Sequence, residues 1–192
     1  VKKTDYNTIK KSREPWQTNS RESDIRSLIS ALLIFARRNK LGLVYPGTVV
    51  HRGQMATLAA LLVTREEVIG INCFGYGGTI TEQKGKWNQH MNGADQAIQS
   101  PVEASGRQWQ LVREALDEAG MKDIPLRVLS VFTSRTVIIR SSCRREVFDS
   151  QGLLEELTRA VQGQKDSFDP EEISRKCNAL VERAKASKKS KA

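Results

Sequence analysis

The chain has 192 residues, of which 39% are hydrophobic and 28% are charged, a balance typical of one globular domain with a sizeable core. Its longest apolar run, LISALLIFA, is well short of the ~20 residues of a membrane-spanning helix, so the sequence predicts no membrane span. The net charge of +9 favours nucleic-acid binding, but residues 1–22 carry +3 and residues 183–192 carry +5, which leaves +1 for residues 23–182.

Cysteines and histidines are too few and too scattered to predict a metal centre. Cys73, Cys143 and Cys177 form no CxxC pair, and the histidines are His51 and His90. The sequence therefore predicts neither a disulfide framework nor a zinc site, and no cofactor. It indicates inert thiols in a reducing compartment, and hence a cytoplasmic protein.

The first predicted element is a helix. Residues 1–19 are polar and aperiodic, and we interpret them as a flexible basic N-terminal arm. Apolar residues then recur at helical spacing from Ile25 to Ala36, after Ser20 and Ser23 as candidate N-caps. The cations that follow and Gly42 predict the helix end.

Three extended segments come next and predict a meander. TLAALLV, residues 57–63, is a continuous apolar run, typical of a strand buried on both faces. VIGINCF, residues 68–74, is the returning strand. After the GYGG turn, TITEQKGKW predicts a third, partly exposed strand or hairpin. Before them, LVYPGTVVH is rich in β-branched residues around a Pro46-Gly47 turn.

The second half predicts a loop, three helices and two strands. NQHMNGADQAIQS is interpreted as a loop, and Pro101 opens a long helix that ends at Gly120. Asp169 and Pro170 begin the last helix as N-cap and first residue. The elements between these helices are two strands, PLRVLSVFTS and TVIIRSS, and a short helix, LLEELTRAV. We assign residues 20–182 to one domain and residues 183–192 to a basic tail.

This order of elements resembles the nuclease-related domain, NERD, of the PD-(D/E)XK restriction-endonuclease-like superfamily, over about residues 20–140. The resemblance rests on ALLVT followed by VIGINCF, on the turn GYGGTI, on the KW pair at 86–87 and on SPVEA at 100–104. It implies an α/β fold with a restriction-endonuclease-like central mixed β-sheet flanked by helices.

The catalytic residues of that family are missing from the matching positions. The resemblance places the aspartate at Ala59, the glutamate at Asn72 and the lysine at Phe74. Two carboxylates would hold a divalent metal and the lysine would stabilise negative charge on the phosphoryl group, so these replacements imply an inactive site. We expect Asn72 and Phe74 on one strand face, with the Asn72 amide bonded to a polar neighbour.

A divergent active site is the alternative. Glu82 and Lys84 form a Glu-x-Lys pair with strand spacing, so both could point to one face. Such a site would make the protein a magnesium-dependent nuclease. A charged pair on a solvated hairpin face explains the same pattern without any chemistry.

Nucleic-acid binding does not depend on catalysis. Trp87 could stack on an unpaired base while neighbouring cations hold phosphate, or it could be a core aromatic that closes the hairpin. The cations at the end of the first helix could instead pair with its dipole. The candidate nucleic-acid-binding residues are Lys84, Lys86, Trp87, Arg52, Arg37, Arg38 and Lys40, with Arg144 and Arg145 as further exposed cations.

The sequence thus predicts a catalytically inactive NERD-like domain that acts as a nucleic-acid-binding or assembly module. DNA or RNA would bind through the hairpin and the basic termini. A protein-binding scaffold with no nucleic-acid role is the rival hypothesis, and the small net charge of residues 23–182 favours it.

Overall fold

The structure, a computed structural model, describes residues 22–141 and 146–189, with side chains to residue 186. The predicted arm at residues 1–19, the pair Arg144 and Arg145, and residues 190–192 lie outside the described residues. Residues 183–189, which were assigned to a basic tail, instead continue the last helix, so the tail prediction is wrong for them. The fold of this part is mixed α/β, as predicted. None of its helices combines the length and apolar character that crossing a membrane requires.

Four helices and eleven strands make up the described chain. The helices are α1 (Glu22–Asn39), α2 (Pro101–Glu118), α3 (Ser150–Val161) and α4 (Pro170–Lys189). The strands are β1 (Gly42–Val44), β2 (Gly47–His51), β3 (Gln54–Leu58), β4 (Ala60–Val63), β5 (Val68–Phe74), β6 (Thr79–Gln83), β7 (Lys86–Met91), β8 (Ala94–Ile98), β9 (Leu126–Phe132), β10 (Ile138–Arg140) and β11 (Val147–Asp149).

The central sheet has five strands in the order β1-β4-β5-β9-β11. The pairs β1–β4 and β4–β5 are antiparallel, whereas β5–β9 and β9–β11 are parallel, so the sheet is mixed. The apolar sides of α1 and α3 pack on one face, and α2, α4 and the β2–β3 hairpin pack on the other. Helices therefore flank the sheet on both faces, as the sequence predicted.

The helix starts follow from local capping and confirm the predictions for α2 and α4. Pro101 is the first residue of α2, and the Ser100 hydroxyl accepts the Glu103 N–H at 3.2 Å. The Asp169 carboxylate accepts the Glu171 N–H at 3.0 Å at the start of α4. Pro170 needs no such partner because it has no N–H.

The predicted stop signal of α1 needs correction. The helix ends at Asn39, and Lys40 takes the left-handed conformation with φ of 55°. Gly42 is already the first residue of β1. A Cβ at Gly42 would come within 1.7 Å of the Ser174 hydroxyl, so this glycine permits close packing of β1 against α4.

The apolar run at residues 57–63 was predicted to be one strand, but it is divided between two strands, β3 and β4. It breaks at Ala59, whose N–H donates to the Ile71 carbonyl at 2.8 Å, and β4 then pairs with β5 from Ala60 onward. All four residues of β4 are buried, as expected for an internal strand. The segment before the break, β3, pairs with β2 in a separate hairpin.

The predicted meander also divides between two sheets. β4 and β5 are neighbours, but β6 leaves the central sheet and joins a small sheet of order β10-β6-β7-β8. The segment interpreted as a loop contains the end of β7 and the whole of β8, so that prediction was wrong. Asn92 and Gly93 connect β7 and β8 as a two-residue turn with φ of 52° and 73°.

The two sheets meet where β5 and β9 end. Phe132 at the end of β9 is fully buried and packs with Tyr76, Ile80 and Trp87. Phe74 at the end of β5 and Val102 in the first turn of α2 pack against this cluster. Asn72 and Phe74 of β5 therefore lie directly beside the junction between the sheets.

Candidate functional site

Three buried polar side chains meet where β5, β9 and α2 come together. Asn72 of β5 and Ser130 of β9 are cross-strand neighbours in the parallel pairing, and Ser105 of α2 lies above them. The Asn72 amide nitrogen donates to the Ser105 hydroxyl at 3.0 Å, which confirms the expectation of a polar partner. The Ser105 and Ser130 hydroxyl oxygens are 2.7 Å apart.

The proton order in this network is fixed by its last acceptor. The Ser130 hydroxyl lies 2.9 Å from the Pro101 carbonyl oxygen, which can only accept, so Ser130 donates to it. Ser130 must then accept from Ser105, and Ser105 accepts from Asn72. Both hydroxyl protons are used in structural bonds, and the network carries no formal charge.

Phe74 occupies the next position on the same face of β5 as Asn72. Its ring packs against Phe132 at a centroid distance of 5.7 Å, and Phe132 in turn contacts Tyr76 at 6.1 Å. Phe74 thus belongs to the apolar junction between the sheets.

Ala59 does not join these residues. It packs with the cluster on the α1 and α3 side of the sheet, together with Cys73, which alternates with Asn72 along β5. Asn72 faces α2 on the opposite side. The three positions that the resemblance assigns to catalysis therefore do not share one cleft, because the bend at Ala59 turns this residue to the other face.

A groove of about 510 Å³ runs beside the polar network, between α2 and β9. Ser105 and Ser130 line it, together with apolar side chains that include Val102 and Val128. Trp109 is 41% exposed at this groove, and its indole N–H donates to the Leu126 carbonyl at 2.9 Å. The hydroxyls that reach the groove are those already committed to the network.

Glu82 and Lys84 do not form the strand pair that the alternative site requires. β6 ends at Gln83, and Lys84 and Gly85 are the two turn residues, with φ of 51° and 78°. The Glu82 carboxylate accepts the Gly85 N–H at 2.7 Å and stabilises this turn. The expectation that both side chains point from one strand face was wrong, because Lys84 lies in the turn and not in the strand.

Trp87 is a core residue of the hairpin. It is 4% exposed and packs in the cluster around Phe132, so its ring faces are covered. Of the two interpretations of Trp87, the structure supports the one in which it closes the hairpin, and base stacking on this side chain is excluded in this conformation. Lys86, its neighbour in β7, is exposed.

The remaining candidate cations are dispersed. Arg37, Arg38 and Lys40 are exposed at the end of α1, where β1 begins, whereas Lys84 and Lys86 lie in the small sheet. Arg52, in the turn between β2 and β3, shares a depression with Glu114, Asp117 and Glu118. His51 beside it is buried between two of these carboxylates, with Nε2 3.4 Å from Glu114 and Nδ1 3.2 Å from Glu118. This acidic surrounding does not suit phosphate binding.

The described cysteines are buried or partly buried, and the described acidic residues form no metal-ligating cluster. Burial raises the pKa of the Cys73 and Cys177 thiols to about 12, so both are neutral at physiological pH. Residues 22–141 and 146–189 contain no cluster of three or more histidine, cysteine or acidic side chains that could hold a metal ion.

Comparison with family models, with curated proteins and with solved structures gave no match for this chain. The interpretation of the site therefore rests on its geometry. Ser105 and Ser130 could not be predicted from the sequence, because an isolated serine in a helix or a strand carries no pattern. A buried Asn72 that needs a partner was the one available indication.

Proposed function

We propose that this protein is a catalytically inactive NERD-like domain that binds nucleic acid. The observation that carries the proposal is the neutral, internally bonded network at Asn72, in the position that the resemblance gives to the catalytic glutamate. The mixed central sheet flanked by helices supports the restriction-endonuclease-like fold that the resemblance implies.

Lack of catalysis follows from the chemistry of these side chains. Magnesium prefers carboxylate oxygens, and Asn72 offers a neutral amide whose nitrogen is already bonded to Ser105. Phe74 supplies no charge to a phosphoryl group, and its ring packs on Phe132. Ala59 supplies no ligand and packs on the other face of the sheet.

The test separates cleavage from binding. The full chain is incubated with labelled single- and double-stranded DNA and RNA, with magnesium, manganese or EDTA, and binding is followed in parallel by fluorescence anisotropy. We expect salt-dependent binding and intact substrate in every reaction. Metal-dependent cleavage that purifies with the protein and is lost in Glu82→Gln would instead support the divergent nuclease.

A protein-binding scaffold is the second candidate, and the dispersed cations favour it. Heparin retention of the full chain is compared with that of a chain ending at residue 186, which keeps the buried Ala184 of α4 and removes the last three lysines. If retention disappears with the tail, residues 23–182 have no phosphate-binding surface of their own, and the scaffold function is preferred.

A further inference from the structure

The small sheet of β10, β6, β7 and β8 has one buried face and one open face. Ile80, Trp87 and Gln89 alternate along their strands and are buried against the rest of the protein. The residues between them, which we call the outer face, are exposed or half-buried. The outer face comprises Ile138 and Arg140 of β10, Thr79, Thr81 and Gln83 of β6, Lys86, Asn88 and His90 of β7, and Asp95 and Ala97 of β8.

Strand register places a row of residues across the centre of the outer face, in which three short side chains follow Arg140. Arg140 is paired with Thr81, Thr81 with Asn88, and Asn88 with Ala97. Residues in register point to the same side of a sheet, so this row crosses all four strands. Threonine and asparagine offer hydrogen-bonding groups, and their short side chains project little from the sheet. They therefore leave an accessible surface for an extended polar ligand.

Lys86 and Arg140 of the outer face have no acidic partner within the described part of the chain. Among the residues that the structure describes, neither Lys86 nor Arg140 forms a salt bridge, and the same holds for Lys84 in the adjoining turn. Asp95, the carboxylate on this face, lies 2.9 Å from His90 Nδ1. By contrast, Arg65, Arg113 and Arg127 elsewhere on the body are each paired with a carboxylate.

The spacing of these cations suits a chain of phosphates. Lys86 and Arg140 are two strands apart and offset by about two residues along the strands, because Arg140 is in register with Thr81 and Asn88. With about 4.8 Å between strands and about 3.3 Å per residue, their Cα atoms are about 12 Å apart. Their flexible side chains can reach phosphates that lie one to two nucleotides apart.

We propose that the outer face is the surface on which this protein holds the phosphate backbone of nucleic acid. This inference rests on the proposed nucleic-acid function and assigns it a surface that includes Arg140 and excludes Trp87. Binding is electrostatic and independent of base sequence, because the face presents cations and short polar groups but no tryptophan, tyrosine or phenylalanine ring for stacking.

An anionic membrane is a weaker match to this surface. Stable interfacial binding needs apolar side chains that enter the acyl boundary in addition to cations. Ile138 is the one large apolar side chain on the outer face, and it is 55% exposed. The polar row beside it would have to lose water without gaining comparable partners.

The test compares two charge reversals that are matched in size. Lys86→Glu with Arg140→Glu changes the outer face, and Arg37→Glu with Arg38→Glu changes the end of α1 by the same four charge units. Each full-length protein is titrated against a fluorescent 20-nucleotide single strand and a 20-base-pair duplex. We expect at least tenfold weaker binding for the outer-face variant and no more than a threefold loss for the α1 variant.

The salt dependence provides a second measurement. Lys86→Ala with Arg140→Ala removes two phosphate contacts, so the slope of log K against log salt should fall by about 1.4–1.8. Arg37→Ala with Arg38→Ala should leave the slope unchanged. Unchanged thermal melting of all four variants verifies that the exposed substitutions do not alter folding.

The outcomes distinguish this inference from the proposed function. Equal losses in both charge reversals, or loss in the α1 variant alone, would overturn the outer face and keep nucleic-acid binding. Absence of binding by the parent protein would overturn both. Vesicles with 30% anionic lipid form the third arm, and binding to them that depends on Lys86 and Arg140, with none to nucleic acid, would assign the face to a membrane.

Discussion

The two sheets of this protein hold their polar side chains in opposite ways. In the central sheet, Asn72 and Ser130 are buried and bonded through Ser105 into a closed network. On the outer face of the small sheet, Lys86 and Arg140 are exposed, and no carboxylate pairs with them among the described residues. Both regions contact the same aromatic junction around Phe132, yet one is sealed and the other is open.

The comparison shows that the residues singled out by the family resemblance are not the ones that are free to bind a ligand. A buried polar group is stable only when its hydrogen bonds are made within the protein, and such a group has little left to offer a ligand. The position where the resemblance points to chemistry is therefore the less available one. The outer face, to which the resemblance assigns no catalytic residue, carries cations that have no acidic partner among the described residues.

Restoring the family's catalytic residues should give the largest effect. Ala59→Asp with Asn72→Glu and Phe74→Lys introduces three charges. Those at positions 72 and 74 enter neutral or apolar surroundings, and an unpaired buried charge costs about 3–5 kcal/mol. We expect thermal melting to show a loss of at least this size. Manganese should not restore stability, because position 59 faces away from position 72.

The control for this prediction is Ala59→Asp alone, at a half-buried position. It should account for the smaller part of the loss. A manganese-dependent rise in the melting temperature of the triple variant, absent from the single one, would mean that the three positions do share a cleft.

Phe132→Ala should loosen both regions together. The ring is fully buried and contacts Phe74 and Tyr76, so its removal leaves a cavity that should cost about 3–5 kcal/mol in urea unfolding. Tyr45→Ala, at a side chain that is 51% exposed, is the matched aromatic control with little expected effect. A small loss in Phe132→Ala would show that the junction does not couple the two sheets.

Ser130→Ala should act on the sealed network alone. It leaves the Pro101 carbonyl and the Ser105 hydroxyl without their partner, which should cost about 1–3 kcal/mol. Nucleic-acid affinity should stay within twofold of the parent when both are measured well below the melting temperature. Ser27→Ala, on the exposed side of α1, controls for loss of a hydroxyl. An affinity loss specific to Ser130→Ala would place the ligand at the network instead of the outer face.

Local signals predicted the fold best where the physical cause is itself local. Pro101 and Pro170 begin their helices because proline needs no hydrogen-bond partner at that position, and neither start depends on distant contacts. The bounds of β5 were also predicted correctly, since polar and glycine residues surround its apolar run. The burial of β5 was harder to predict, because the strand contains the polar Asn72. The hydrogen-bond partner of Asn72 is a serine 33 positions away in the chain.

Features that depend on tertiary pairing were missed. The run TLAALLV has no polar residue to mark its bend, which arises because β3 pairs with β2 while β4 pairs with β5. The parallel pairing of β10 with β6 joins segments almost 60 residues apart and has no local pattern. The Asn92-Gly93 turn was different, since this dipeptide is a strong hairpin signal that the loop interpretation did not use.

The smallest effect concerns the turns that frame the outer face. Lys84 and Asn92 both occupy the first position of a two-residue hairpin turn, with φ of 51° and 52°, and each is followed by a glycine. Asparagine tolerates this left-handed conformation better than lysine does, because its short side chain can bond the local backbone. Lys84→Asn should therefore raise stability by about 0.5–1 kcal/mol, and Asn92→Lys should lower it by a similar amount.

Urea unfolding of the two variants and of their combination checks this, with Lys84→Ala as the control for loss of charge without gain in the turn. If the turns act independently, the combined variant should match the parent within about 0.5 kcal/mol, because the two sites lie at opposite ends of β7. Equal stability of Lys84→Asn and Lys84→Ala would show that charge, and not backbone conformation, sets the stability of this turn. Affinity for nucleic acid should then decide whether Lys84 contributes to the outer face or only borders it.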